Sequence, residues 1–152
     1  MVKVLAILPT YYPEVGGSAL ASHCIIDLLA KANDLNVTVL TGTQNPQKVR
    51  GVKYYYDPLI KTIDKWCLPQ SSLSRRYQSI LERHDVVYIA HAYPLIPVAK
   101  KFGKKTIIHL HDYRPISPCA AVLAGSGVSS NFDLLKDGFV VNLMQKKKEL
   151  KL

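Results

Sequence analysis

Three histidines and a pair of glycines are the residues best placed to do chemistry in this chain. His109 and His111 stand two apart at the end of an apolar run, Thr106 to Leu110. If that run is a strand that continues, alternation puts both rings on one face and Leu110 on the other. His111, at the tip, is the catalytic candidate, and His109 reads as a histidine satisfied within the structure. Asp112 follows at once and can orient an imidazole or accept a hydrogen bond from a ligand hydroxyl. His91 closes a second apolar run, DVVYIA, and is a weaker binding candidate. His23 and His84 read as structural or surface residues. A metal site built from His109, His111 and Asp112 lacks a fourth ligand at a recognisable spacing, so no metal is expected. Gly16-Gly17 precedes a helical pattern. Two glycines there let a ligand approach backbone N–H groups, and a helix N-terminus favours an anion by about 0.3–1 kcal/mol. The same pair can equally be a flexible turn that joins a strand to a helix.

The elements that must position these residues follow from hydropathy patterning. Val2 to Leu8 is nearly continuously apolar and ends at Pro9, the pattern of a buried parallel strand. A loop from Thr10 to Gly17 follows, with Ser18 as the expected helix cap. Ala21, Cys24, Ile25, Leu28, Leu29 and Ala32 are spaced to share one helix face, and Asn33-Asp34 stops the helix. Further strands are expected at Asn36–Thr41, Val52–Tyr56, Asp85–Ala90 and Thr106–Leu110. Helix is expected between about Pro58 and Arg83, broken near Pro69, with Leu73, Tyr77, Ile80 and Leu81 at helical spacing. A short helix is expected from Pro94 to Phe102, with Pro97 in its first turn, where a missing N–H costs little. After His111 the pattern weakens into a loop, Asp112 to Pro118, then a Gly- and Ser-rich stretch, Leu123 to Asn131. Phe139 to Leu152 is read as a basic terminal helix or tail. Alternating strands and helices predict an α/β, Rossmann-like open parallel sheet of about five strands with helices on both faces. Such sheets bind ligands beyond the carboxyl ends of their strands. That edge would carry the loop after Leu8, Thr41-Gly42, His91 to Tyr93, and His109 to Arg114.

Several chemistries are excluded by what the motifs lack. No G-x-G-x-x-G follows the first strand and no acid ends the second, which runs Leu40-Thr41-Gly42, so NAD or FAD binding is not expected. No G-x-x-x-x-G-K-[ST] is present, and no cofactor of any kind is expected. Cys24, Cys67 and Cys119 are odd in number, far apart and without CxxC spacing, which argues against disulfides and zinc and for free thiols. The 152 residues, 48% of them hydrophobic, suffice for one domain core of ordinary size. No apolar run approaches the roughly 20 residues of a membrane span, and the N-terminus reads as mature and cytoplasmic. Net charge is +9, from 20 Lys and Arg against 11 Asp and Glu. The basic clusters, Arg75-Arg76, Lys100-Lys101 with Lys104-Lys105, and Lys146 to Lys148, suit an anionic partner. No aromatic residues interleave with them, and nucleic acid is not the expected partner.

The opening VLAILPTYYPEVGGSALASHCIIDLLAK…NVTVLTG, with DVVYIAHAYPLIPVAKKFGKKTIIHLHDYRPISPC, resembles family-4 retaining glycosyltransferases of the two-Rossmann-domain type. The match covers roughly residues 2–120 and rests on four features in order: a Y-x-P-x-x-G-G loop, a VTVLT strand, a D-V-V strand and an H-D-Y segment. The resemblance implies an N-terminal, acceptor-side domain for residues 1–138. Gly16 and Gly17 would lie at the interdomain cleft, against the donor phosphate or the acceptor. His111 would reach the donor sugar, and Asp112 and Tyr113 would shape the acceptor side. The nucleotide-sugar would be held mainly by a second domain carrying E-x7-E, which this sequence lacks along with the family's D-x-v-i-x-x-S strand. The expected function is therefore the acceptor-side part of a sugar transferase, inactive without a missing domain or partner chain. The alternative is a non-enzymatic scaffold of a split transferase. The basic tail 139–152 would suit an anionic membrane surface, at about 1 kcal/mol per well-placed Lys or Arg, giving a peripheral location on the cytoplasmic face.

Overall fold

A computed structural model describes residues 1–63 and 69–111. Residues up to His111 form one compact unit. Five strands, β1 (Val2–Leu8), β2 (Leu35–Thr41), β3 (Lys53–Tyr56), β4 (Val86–Ala90) and β5 (Lys105–His109), alternate with α1 (Gly17–Ala30), α2 (Pro58–Thr62), α3 (Gln70–Glu82) and α4 (Ile96–Lys101). All ladders are parallel and the spatial order is β3-β2-β1-β4-β5. β1 is central: Val2 to Leu8 pair with Leu35 to Thr41 on one side, and Val4 to Ile7 with Val86 to Ile89 on the other. No strand end departs from expectation by more than one residue, the ordinary scatter of fraying termini.

Alternation along the strands divides the core in two. Leu5, Ile7, Leu40, Val87 and Ile89 face α2, α3 and α4, where Ile60, Leu73, Tyr77, Leu81 and Val98 are buried against them. Ala6, Leu8, Val37, Val39, Tyr88 and Ala90 face the other way, onto Ile26 of α1. Each fully buried Leu or Ile contributes about 1.5–3 kcal/mol. Helices therefore cover both faces of an α/β, Rossmann-like parallel sheet. Among the described residues no helix is long and apolar enough to cross a membrane.

Two local expectations need correction. The buried face of α1 is Ala19, Ser22 and Ile26, with Ile25 and Leu29 half-buried; Ala21, Cys24 and Leu28 are exposed. Apolar residues stand on nearly every side of this helix, so spacing alone admits more than one stripe. The cap is Gly16, with no side-chain hydrogen bond, and Ser18 lies inside the first turn. The β2–β3 crossover, residues 42–52, contains no helix. Val49 and Val52 from that loop pack on the α1 face of the sheet in a helix's place.

The crossover from β3 to β4 is anchored by one carboxylate. Asp57 caps α2 by accepting from the Leu59 amide at 3.0 Å. The Arg76 guanidinium of α3 grips both carboxylate oxygens at 2.9 Å, and the Tyr77 hydroxyl donates to Oδ2 at 2.9 Å. Burial alone would push the Asp57 carboxyl up. The hydrogen bonds from Arg76, Leu59 and Tyr77 outweigh it and hold the group below the ordinary aspartate range. Burial and the adjacent carboxylate push the Tyr77 phenol well up, so it stays protonated and donates.

Asp112 and Tyr113, the expected loop 112–118, the stretch 123–131, the boundary at 138 and the tail 139–152 all lie outside the described residues. So do Cys67 and Cys119, whereas Cys24 is a free, exposed thiol.

A carboxyl depressed by folding contributes stability that is complete above the unfolded value, about 3.9 for aspartate, and is lost as pH falls through the folded value. Asp57→Asn should therefore lower stability near neutrality by about 2 kcal/mol, discounted for the half-exposed Arg76. The loss should shrink as pH falls below about 4, where the native carboxylate also protonates. Urea unfolding of both proteins from pH 7 down to pH 3 measures this; a constant difference across that range contradicts it.

Candidate functional site

The loops after β1 and β2, at the carboxyl ends of the strands, are held by specific contacts. The chain leaving β1 turns at Pro9, whose carbonyl accepts from the Gly42 amide at 3.2 Å. Gly42 has no room for a side chain. A Cβ there would stand 2.6 Å from Lys61 Cβ, 2.8 Å from the Pro9 oxygen and 2.9 Å from the Lys61 nitrogen. Thr43 then secures the loop. Its hydroxyl accepts from the Tyr11 amide at 2.9 Å and donates to Glu14 Oε1 at 2.6 Å. Lys61 reaches the other Glu14 oxygen at 2.7 Å. Burial pushes the Glu14 carboxyl up, and the bonds from Lys61 and Thr43 bring it below its ordinary range.

Tyr11 is the aromatic anchor of this loop and is fully buried. Its hydroxyl lies 3.2 Å from the Tyr54 hydroxyl of β3 and 3.0 Å from Nδ1 of His23 on α1. The Val49 amide donates to the Tyr54 oxygen at 3.0 Å. One assignment satisfies the whole chain: Val49 N–H to Tyr54, Tyr54 O–H to Tyr11, Tyr11 O–H to His23. Burial, reinforced by Tyr54, pushes the Tyr11 phenol far up and keeps it protonated. The His23 ring also meets Tyr12 at a centroid distance of 5.2 Å. His23 is thus structural, the role its place on α1 suggested. Tyr11 was missed as an anchor; its signal is an aromatic pair directly before Pro13 in a loop otherwise made of small and polar residues.

Downstream of that loop Gly16 has φ 149°, a conformation that side chains rarely adopt, and Gly17 opens α1 with open space around its Cα. Gly16 therefore serves the turn into α1 on backbone grounds. Both glycines sit where β1 runs into α1, on the same edge of the sheet as the β4 and β5 tips.

On that edge the histidines come together. His91 follows β4 in the left-handed region, φ 62°. Its ring stacks on His111, with centroids 4.7 Å apart and planes at 14°. His111 in turn meets His109 at 3.9 Å. Tyr93 flanks His91 at 6.2 Å. His109 pairs in register with Ala90, and its Nδ1 lies 2.5 Å from the Tyr88 hydroxyl. Burial pushes the Tyr88 phenol up and keeps it protonated. β5 ends at His109, so His111 belongs to the turn that follows and not to the strand. The two rings meet by that turn rather than by strand alternation. Among the described residues no group of three or more His, Cys, Asp or Glu is arranged to hold a metal ion.

A left-handed backbone at a residue with a side chain costs about 1–2 kcal/mol, and histidine tolerates it better than most. Such positions persist where surrounding contacts over-determine them and cluster at functional sites. The edge between β1 and β4 is also where strand order reverses, the usual crevice of an open α/β sheet. The arrangement can present imidazole N–H and N acceptors to hydroxyls of a ligand, with helix α1 opening on the same edge.

No family model matches the sequence, and no curated protein does. A similar solved structure is the C-terminal domain of a hydrogenase from Pyrococcus furiosus, at 17% identity and TM-score 0.46, covering 72% of this chain and 92% of that one. So distant a likeness says nothing about activity.

Two substitutions probe how the loops are held. Gly42→Ala should cost about 1–3 kcal/mol in urea unfolding, because its clashing neighbours are backbone and a Cβ, whereas Gly17→Ala should be neutral or about 0.5 kcal/mol stabilising. Equal effects contradict the packing described. At His91, glycine relieves the left-handed backbone but loses the ring stack, and should change stability by less than about 1 kcal/mol. Valine loses the stack and keeps the strain, so His91→Val should be the less stable by about 1–2 kcal/mol; the reverse order would show the φ to be unstrained.

Proposed function

We propose that this chain is the acceptor-side, Rossmann-like part of a glycosyltransferase. It would act on a nucleotide-sugar and an acceptor together with a second nucleotide-binding domain or partner chain. The observation that carries the reading is the His91–His111 stack at the reversal of strand order, beside a glycine-opened helix. The motif order from Y-x-P-x-x-G-G to H-D-Y supports it independently.

In this reading each group has a physical task. Transfer requires an acceptor hydroxyl to be held near the donor's anomeric carbon, and charge on the departing phosphate to be stabilised. His111 is the group at the sugar, held in place by rings on either side, and His91 lines the same wall. The α1 N-terminus, reached past Gly16 and Gly17, favours the anionic phosphate. Asp112 and Tyr113 follow His111 in sequence and would complete the acceptor side. A cytoplasmic location, peripheral to the membrane when the acceptor is a lipid, goes with this function.

The chain alone should bind UDP- or GDP-sugars weakly or not at all. Supplied in trans with a domain carrying the E-x7-E donor segment, it should support sugar transfer to an acceptor. His111→Ala should lower kcat by about a hundredfold with unchanged folding. Failure of transfer with every candidate partner, or full activity of His111→Ala, would sink the proposal. Liposome sedimentation with and without residues 139–152 tests the membrane part: equal sedimentation removes the tail from it.

A further inference from the structure

The opposite edge of the sheet carries a second feature that the proposed transferase does not use. A cavity of about 230 Å³ opens where β1, β2 and β3 begin and α3 ends, lined by Lys3, Asn36, Thr38, Lys53, Tyr55, Arg83 and His84. The strand register explains why these residues converge. Lys3 lies opposite Asn36, Thr38 opposite Lys53, and Tyr55 opposite Leu40, so all point to one face of the sheet. On that face Leu5, Ile7 and Leu40 form the core further along. The cavity is thus the polar end of the same trough.

Three cations line it and no Asp or Glu does. Among the described residues none of the three has an ion pair. Asp85 Oδ2 accepts from the Lys3 backbone amide at 2.8 Å. Thr38, 4% exposed as a residue, also lines the cavity and offers a hydroxyl to it. His84 is 8% exposed; its Nδ1 donates to the Ile80 carbonyl at 2.6 Å, which leaves Nε2 as the ring's other polar atom. The carboxyl end of α3 places the negative end of its dipole here, which accounts for Arg83 alone. Lys3 and Lys53 come from strands, where no dipole calls for them.

We infer that this cavity is a binding site for a phosphate group, either free phosphate or a phosphomonoester, with Lys3, Lys53 and Arg83 neutralising the anion and Thr38 donating to it. Its volume is below that of usual small-molecule pockets, so it suits a headgroup-sized anion and not a nucleotide. The bound phosphate could belong to a soluble molecule or to a phosphomonoester lipid headgroup, and the chemistry of recognition is the same.

Isothermal titration of the full chain with inorganic phosphate, at fixed ionic strength, should give saturable binding at one site. The double variant Lys53→Gln/Arg83→Gln changes two exposed residues and should retain the native circular dichroism while binding at least about tenfold more weakly. Thr38→Val, nearly isosteric, should also weaken binding, and His111→Ala should leave it unchanged. That last result separates this site from the proposed transferase edge. Sedimentation with phosphatidic acid vesicles, against phosphatidylcholine vesicles, distinguishes the sources: loss of vesicle binding in the double variant assigns a headgroup, and phosphate binding without vesicle binding assigns a soluble ligand. Absence of saturable phosphate binding, or equal binding by wild type and double variant, overturns the inference.

Discussion

The rest of the fold hangs on β1 and its two parallel ladders. The strand is buried on both faces over most of its length, and it is bonded to β2 on one side and β4 on the other. Connections leaving it and its neighbours must therefore pass to opposite faces, which is why α1 covers one side and α2, α3 and α4 the other. The same order sends the connections after β1 and β4 to opposite faces, and it is at those strand tips that the glycine turn and the histidines sit. Loss of either ladder would separate the two halves of the edge on which the proposed chemistry depends.

Rigidity at that edge comes from backbone and side-chain contacts that leave little freedom. Gly42 packs against Pro9 and Lys61 without room for a methyl group. Glu14 joins Thr43 to Lys61, and Tyr11 joins the loop to β3 and α1. Asp57 does the corresponding work between α2 and α3. A scaffold tied in this way can hold His91 in a left-handed conformation, with His111 stacked on it and His109 against His111. Positioning of that kind is what a site needs if binding energy is to orient a substrate.

Much of this was legible in the sequence, for identifiable reasons. β1 is apolar without alternation from Val4 to Leu8, and that pattern belongs to a strand buried on both faces of a parallel sheet. Pro58, Pro69 and Pro97 mark helix starts because each sits where a missing N–H is harmless. The buried face of α1 was not legible, because Leu20, Cys24 and Leu28 make an exposed stripe as apolar as the buried one. The packing of the crossover into β3 was hidden as well; Val49 and Val52 cover the sheet individually and leave no periodicity. At the site, His91 and His111 could be named from their places at strand tips. Their stacking could not, since it depends on a turn after β5 and on a backbone angle at His91. The cavity at the other edge was invisible too, because its cations are scattered singly along the chain and meet through register alone.

The central claim is that ligand binds at the carboxyl edge, between the β1 loop and the histidines. The most direct measurement is an NMR titration of the isotope-labelled chain with nucleotide-sugar and acceptor, in the presence of an unlabelled donor-binding domain. The account predicts that amide and imidazole signals of Gly16, Gly17, Thr43, His91, His109 and His111 shift together and saturate. Shifts confined to Lys3, Lys53, Arg83 and their neighbours, or no shifts at all, would contradict it.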